Sequence, residues 1–195
     1  MKKIPSIFVR DFGGNACLVT ETPNTEAAFV FEGLGIPTRK FDGTCCRVLN
    51  GKLWKRLDCK RGKTPPANFE QCGPADPVTG HHVGWIPVGD EPDSRWHREA
   101  FDRCASWGDG TYELCGPKLQ ANPEGFPAHT LVVHGSVRLL DVPLTFVGLK
   151  EYLKERLVEG IVWHHKDGTG EMAKIKRTDF GWPWPVPRNE EKVKP

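Results

Sequence analysis

The sequence lacks any run of about 18 consecutive apolar residues, and its first residues, Met1-Lys2-Lys3-Ile4-Pro5, have no apolar leader core. It therefore reads as a soluble, intracellular protein without a membrane partner. It also lacks strong net charge: 27 basic and 25 acidic residues leave +2 over 195 positions. That excludes a global basic field of the kind that grips nucleic acid, so any polyanion site has to be local. Cys-x-x-Cys pairs are missing as well. The seven cysteines (17, 45, 46, 59, 72, 104 and 115) are odd in number and none forms Cys-x-x-Cys, which points to reduced thiols. A zinc site from Cys72 with His81 and His82 would lack the paired spacing that zinc motifs bring at both ends. Tyrosine is scarce, two against seven tryptophans.

Glycine (21) and proline (17) are plentiful, which favours many short elements joined by turns. The length suits one domain, 1–178, followed by a Trp/Pro-rich tail, 179–195. Residues 6–10, 17–20 and 27–31 read as strands. Thr38 to Val48 and Leu53 to Asp58 read as a hairpin across Asn50-Gly51, a pair suited to a type I′ turn. Residues 60–77 form a polar, proline-rich loop that could close over a ligand or merely connect. Strands are expected at 81–88, 110–116 and 129–134, helices at 94–106 and 145–157, and a second hairpin from 159–165 to 171–177. Trp182 and Trp184 in the tail either pack back or form an apolar patch.

Lys40-Phe41-Asp42-Gly43-Thr44 carries the chemistry of interest. A lysine there can be a nucleophile if burial or neighbouring cations release its lone pair, or it can sit in an exposed turn. Cys45 and Cys46, adjacent in a strand, point to opposite faces, one toward a pocket and one away, with a core role the simpler reading for either. Glu113 faces either solvent or a polar pocket. Strand alternation puts Lys174 and Lys176 on one face, where two cations call for an anion such as a triphosphate and would lower the pKa of Lys40.

Lys40 to Thr44, Tyr112-Glu113-Leu114-Cys115-Gly116, Glu159-Gly160-Ile161-Val162-Trp163 and Lys174-Ile175-Lys176 together resemble motifs I, III, IV and V of the covalent lysine nucleotidyltransferases, which include ATP-dependent ligases and mRNA capping enzymes. The match covers roughly residues 30–178. The strings Asp42 to Cys46, Trp54 to Asp58 and Gly116 to Pro123 are most similar to small RNA ligases of the vertebrate 5′ to 3′ type.

The resemblance implies an α+β nucleotidyltransferase fold, the ATP-grasp-like ligase adenylation type, with two antiparallel sheets forming a nucleotide cleft and helices outside. With few residues after motif V, no OB-fold is expected. It implies an ATP-dependent RNA ligase that joins a 5′-phosphate to a 3′-hydroxyl through lysyl-AMP and an adenylylated RNA. ATP and Mg2+ or Mn2+ would be required. Lys40 would be the nucleophile, with Asp42 and Gly43 in its nucleotide-binding motif. Glu113 would hold the ribose, Glu159 the metal, and Lys174 and Lys176 the α-phosphate. Arg56, with Arg61 second, would meet the ribose or the incoming phosphate, and His134, with Val133 competing, would stack on adenine. Arg39 replaces the acidic residue that many relatives carry before the lysine. RNA contacts would come from loop 60–77, Arg177 and the tail. Alternatives are a GTP-dependent guanylyltransferase, a minimal DNA ligase, or a non-catalytic nucleotide- or RNA-binding module.

Overall fold

The computed structural model describes residues 3–13, 17–77 and 79–186. They form a mixed α/β protein of antiparallel sheets and few helices, divided into two units; the chain passes from one to the other between Lys40 and Phe41 and returns after Ser136. No helix among the described residues is long and apolar enough to cross a membrane.

The unit of residues 41–136 is built on a six-stranded antiparallel sheet. In chain order its strands are β4 (Thr44–Leu49), β5 (Lys52–Cys59), β6 (Glu70–Gln71), β7 (His82–Pro87), β8 (Gly110–Cys115) and β9 (Thr130–Val133). Their order in the sheet is β6-β7-β5-β4-β8-β9. The turn between β4 and β5 has Asn50 and Gly51 at φ 50° and 69°, the conformation that Asn-Gly tolerates and most residues resist. Cys46, Val48, Tyr112 and Leu114 alternate onto one face and pack with Ala100 of helix α2 (Arg95–Phe101). Helix α2 stops short of the expected residue 106. The chain turns away after Phe101, where the Trp107 indole donates to the Phe101 carbonyl at 2.7 Å, and Cys104 is exposed. On the opposite face the Arg47 guanidinium lies 4.7 and 5.2 Å from the Trp54 and Trp85 rings and pairs with Glu70 at 2.6 Å. This accounts for two of the tryptophans as supports for one half-buried cation.

The second unit holds residues 4–40 and those from 137 onward. Its three-stranded sheet has the order β11-β10-β3, from β3 (Gly35–Lys40), β10 (Gly160–His165) and β11 (Met172–Lys176). A separate pair, β1 (Phe8–Arg10) with β2 (Val19–Pro23), makes a third sheet where the sequence predicts two. Residues 27–31, expected as a strand, are instead helix α1 (Ala28–Phe31) after a 3₁₀ turn. The Asn24 side chain accepts from Glu26 N at 3.0 Å and starts that turn, a local signal that outweighs the short apolar run.

Helix α3 (Phe146–Lys154) starts at Thr145, whose hydroxyl accepts from Gly148 N, and buries Leu149, Tyr152 and Leu153. It ends before Leu157, which is exposed, because the Arg177 guanidinium donates to the carbonyls of Leu153, Lys154 and Arg156 and closes the helix. Arg177 is buried and committed to these carbonyls, so it is not the RNA-contacting arginine the sequence suggests. Trp182 packs back on α3, its indole donating to the Lys150 carbonyl at 3.2 Å. Pro187 and the residues after it lie outside the described residues.

Candidate functional site

In the sheet β11-β10-β3 the register sets Gly160 opposite both Lys40 and Lys176. Residues directly opposite share a face, so Lys40, Gly160 and Lys176 form one row, with Lys174 one step along on the same side. The other face carries Ile161, Trp163, Ala173 and Ile175, all buried in the core. That burial fixes the register: a slip by one residue would drive the lysines into the core. Lys40 is thus the last residue of β3, paired with β10, and not on the first strand of the Asn50-Gly51 hairpin as the sequence predicts. Gly160 sits so close to its neighbour strand that a Cβ would lie 2.2 Å from the Ile175 carbonyl oxygen.

The Lys40 ammonium donates to the Glu159 carboxylate, and both side chains are largely buried. Glu159 is held in turn by its carbonyl, which accepts from Arg177 N at 2.9 Å. Burial, and after it the charges of Lys40 and Lys176, lower the Lys174 pKa from 10.5 to about 8, against the opposing pull of Asp179 and Glu159. Asp179, buried, accepts from Lys176 N at 2.8 Å and pairs with Arg10 at 2.7 Å. Lys40, Lys174 and Lys176, with Arg10, therefore share the neighbourhood of two buried carboxylates, Glu159 and Asp179, and this excess of cations is suited to an anionic ligand.

In the other unit, Asp42 N donates to Glu124 Oε1 at 2.9 Å. Gly43 passes so near β8 that a Cβ would stand 2.2 Å from the Leu114 carbonyl oxygen, so only glycine fits. Cys45 lies opposite Glu113 across the β4–β8 ladder. The Glu113 carboxylate meets His134 Nε2 at 2.9 Å, with side chains 13% and 21% exposed, so Glu113 faces a polar recess and not open solvent. Cys46 points into the core while Cys45 joins Glu113 and His134, as alternation predicts. Burial, reinforced by the Glu113 charge and opposed by Arg56, pushes the Cys45 thiol up to about 12, so it is no nucleophile at neutral pH.

Arg56 is half-buried on β5, and Arg61 lies in the exposed turn beyond it. Val133, at the end of β9, is 49% exposed, whereas His134 is turned onto Glu113. Among the described residues, Cys72, His81 and His82 are not gathered as metal donors, whereas Cys45, Glu113 and His134 are. Glu124 was missed by sequence reasoning, because nothing local marks an acidic loop residue whose partner lies 82 positions away.

Comparison with known proteins finds similarity to RNA ligases. Residues 104–195 match the family model described as RNA ligase 1. The chain is similar to "RNA ligase 1" of Pongo abelii, 26% identical over 95% of this chain and 82% of that protein. It is likewise similar to "RNA ligase 1" of Rattus norvegicus, 25% identical over the whole chain and 85% of that protein, and of Danio rerio, 27% over 95% and 82%. The resemblance to RNA ligases read from the four motifs thus extends over nearly the full chain, at modest identity.

Proposed function

We propose that the chain is an ATP-dependent RNA ligase that joins a 5′-phosphate to a 3′-hydroxyl through a lysyl-AMP. The observation that carries this reading is the pairing of Lys40 with Glu159 in a row shared with Lys176 and flanked by Lys174. The likeness to proteins named RNA ligase 1 supplies the substrate class.

In the first step the Nζ lone pair of Lys40 attacks the α-phosphorus of ATP. A phosphorus–nitrogen bond forms, the bond to the bridging oxygen breaks, pyrophosphate leaves with that electron pair, and the proton shed by the nitrogen passes to solvent. Lys174 and Lys176 hold the α-phosphate and offset its charge, which a loose phosphoryl transition state spreads over its oxygens. Glu159 by itself favours the ammonium form of Lys40, since the carboxylate is its counter-ion. A single carboxylate beside a phosphate-binding row fits a hard divalent cation, which takes one or two protein carboxylates and completes its shell with phosphate and water. Magnesium or manganese held there would neutralise phosphate charge. With Glu159 so engaged, the charges of Lys174 and Lys176 would favour the neutral amine of Lys40. Glu113 and His134 take the nucleoside, and Asp42 and Gly43 shape the loop beside it. AMP then passes to an RNA 5′-phosphate, and a 3′-hydroxyl displaces it.

The test is adduct formation from α-labelled ATP on a denaturing gel, with labelled GTP alongside. Label on the protein from ATP that vanishes in Lys40→Ala is expected; no label, or label that survives the substitution, overturns the proposal.

A further inference from the structure

Cys45, Glu113 and His134 come from β4, β8 and the residue after β9, neighbouring strands of one sheet. One donor atom from each lies within 4.8 Å of the others. Tetrahedral zinc, with bonds of about 2.0–2.3 Å, sets its donors about 3.3–3.8 Å apart, so side-chain rotation alone would close this set. A thiolate, an imidazole and a carboxylate are the donors that borderline-soft divalent ions select over magnesium. Cys45 is a protonated thiol in the metal-free recess; on binding, the ion would take the place of its proton and cancel the charges of the thiolate and the carboxylate together. His134 Nδ1 is buried without a hydrogen-bond partner among the described residues, while Nε2 is turned onto the Glu113 carboxylate. The imidazole is thus oriented by the recess and not by a second anchor.

We propose that Cys45, Glu113 and His134 form a binding site for a thiophilic divalent cation such as zinc, and that its occupancy blocks adenylylation. The second part rests on the assignment of Glu113 and His134 to the nucleoside, because one recess cannot hold both. Zinc would displace the thiol proton of Cys45, and adding or removing the ion would switch the enzyme without touching Lys40 or Glu159.

Cobalt(II) chloride titrated into the metal-free full chain, without ATP, tests the site by absorption. Thiolate-to-cobalt absorption in the near ultraviolet is expected, retained in Cys72→Ser and lost in Cys45→Ser. Loss of an outer-shell partner already weakens metal sites about 10–100-fold, so removing the thiolate itself should weaken cobalt binding by at least about tenfold. Absence of the band, or its persistence in Cys45→Ser, overturns the site. Adduct formation is then followed against zinc at constant ATP and magnesium. Wild type should stop labelling at a zinc concentration that Cys45→Ser tolerates at least about tenfold better, and labelling of Cys45→Ser without zinc shows that it is folded. Equal sensitivity of the two proteins overturns the block. If neither protein labels without zinc, the ligase reading fails and the block with it, while the cobalt band still decides the site.

Discussion

Lys40 and Glu159 are an ion pair within one sheet: the ammonium at the end of β3 donates to the carboxylate just before β10, 119 residues on. The expected nucleophile is therefore paired with the residue expected to take the metal. Glu159→Gln should raise the magnesium needed for half-maximal adduct formation by at least about tenfold. A metal titration of labelling checks this; an unchanged midpoint would remove Glu159 from the metal site.

Lys174 gives the pH dependence a sign. Its pKa is lowered to about 8, so kcat/KM for ATP, which reports the free enzyme, should fall above about pH 8 as this cation is lost. Lys174→Arg, permanently charged, should move that alkaline limb upward. The native state binds this proton less readily than the unfolded chain, so stability should rise between about pH 8 and 10.5. Urea unfolding across that range, in wild type and Lys174→Met, isolates the contribution.

Lys176→Ala should slow Lys40 adduct formation itself by about 10²–10³, the usual cost of losing one preorganised charge-stabilising donor. Pre-steady-state labelling measures it. A loss confined to RNA sealing, with the adduct forming at the normal rate, would reassign Lys176.

Gly43→Ala forces a methyl group against the Leu114 carbonyl at 2.2 Å. Overpacking of this kind costs about 1–3 kcal/mol, which for a chain of this size is a fall in Tm of about 2–12 °C. Calorimetry on the purified variant reads it, and an unchanged Tm would show that β8 yields.

Arg177→Ala leaves the carbonyls at the end of α3 without their buried donor. Each charged hydrogen bond contributes about 1.5–3 kcal/mol, so a loss of at least that size is expected in urea unfolding. RNA affinity measured on the folded fraction should not change, which separates this role from the RNA contact suggested by the sequence.

Strand positions were legible wherever a two-residue period or a specific turn marked them. The Asn50-Gly51 hairpin is the clearest example, and the alternation that sorts Cys45 from Cys46 and Lys174 and Lys176 from Ile175 is another. Short apolar runs were not legible. Residues 27–31 suit strand or helix equally, and the Asn24 cap decided for helix. The run from Thr38 predicts one strand that continues through Lys40 into the hairpin. Nothing local shows that its partner is β10, more than 120 residues away in sequence, and not β4.

The sequence by itself determined the chemical inventory: a lysine in Lys-x-Asp-Gly, an acidic residue in a strand and another beside one, and an alternating lysine pair, each fixed by local spacing. Tertiary structure decided which of these meet. It set Glu159 on Lys40, placed Lys40 and Lys176 in one row through Gly160, turned Glu113 toward Cys45 and His134, and buried Arg177 under a helix end. The reason is physical: strand period is local, whereas register between distant strands is chosen by which apolar faces can be buried together, and the polar faces follow.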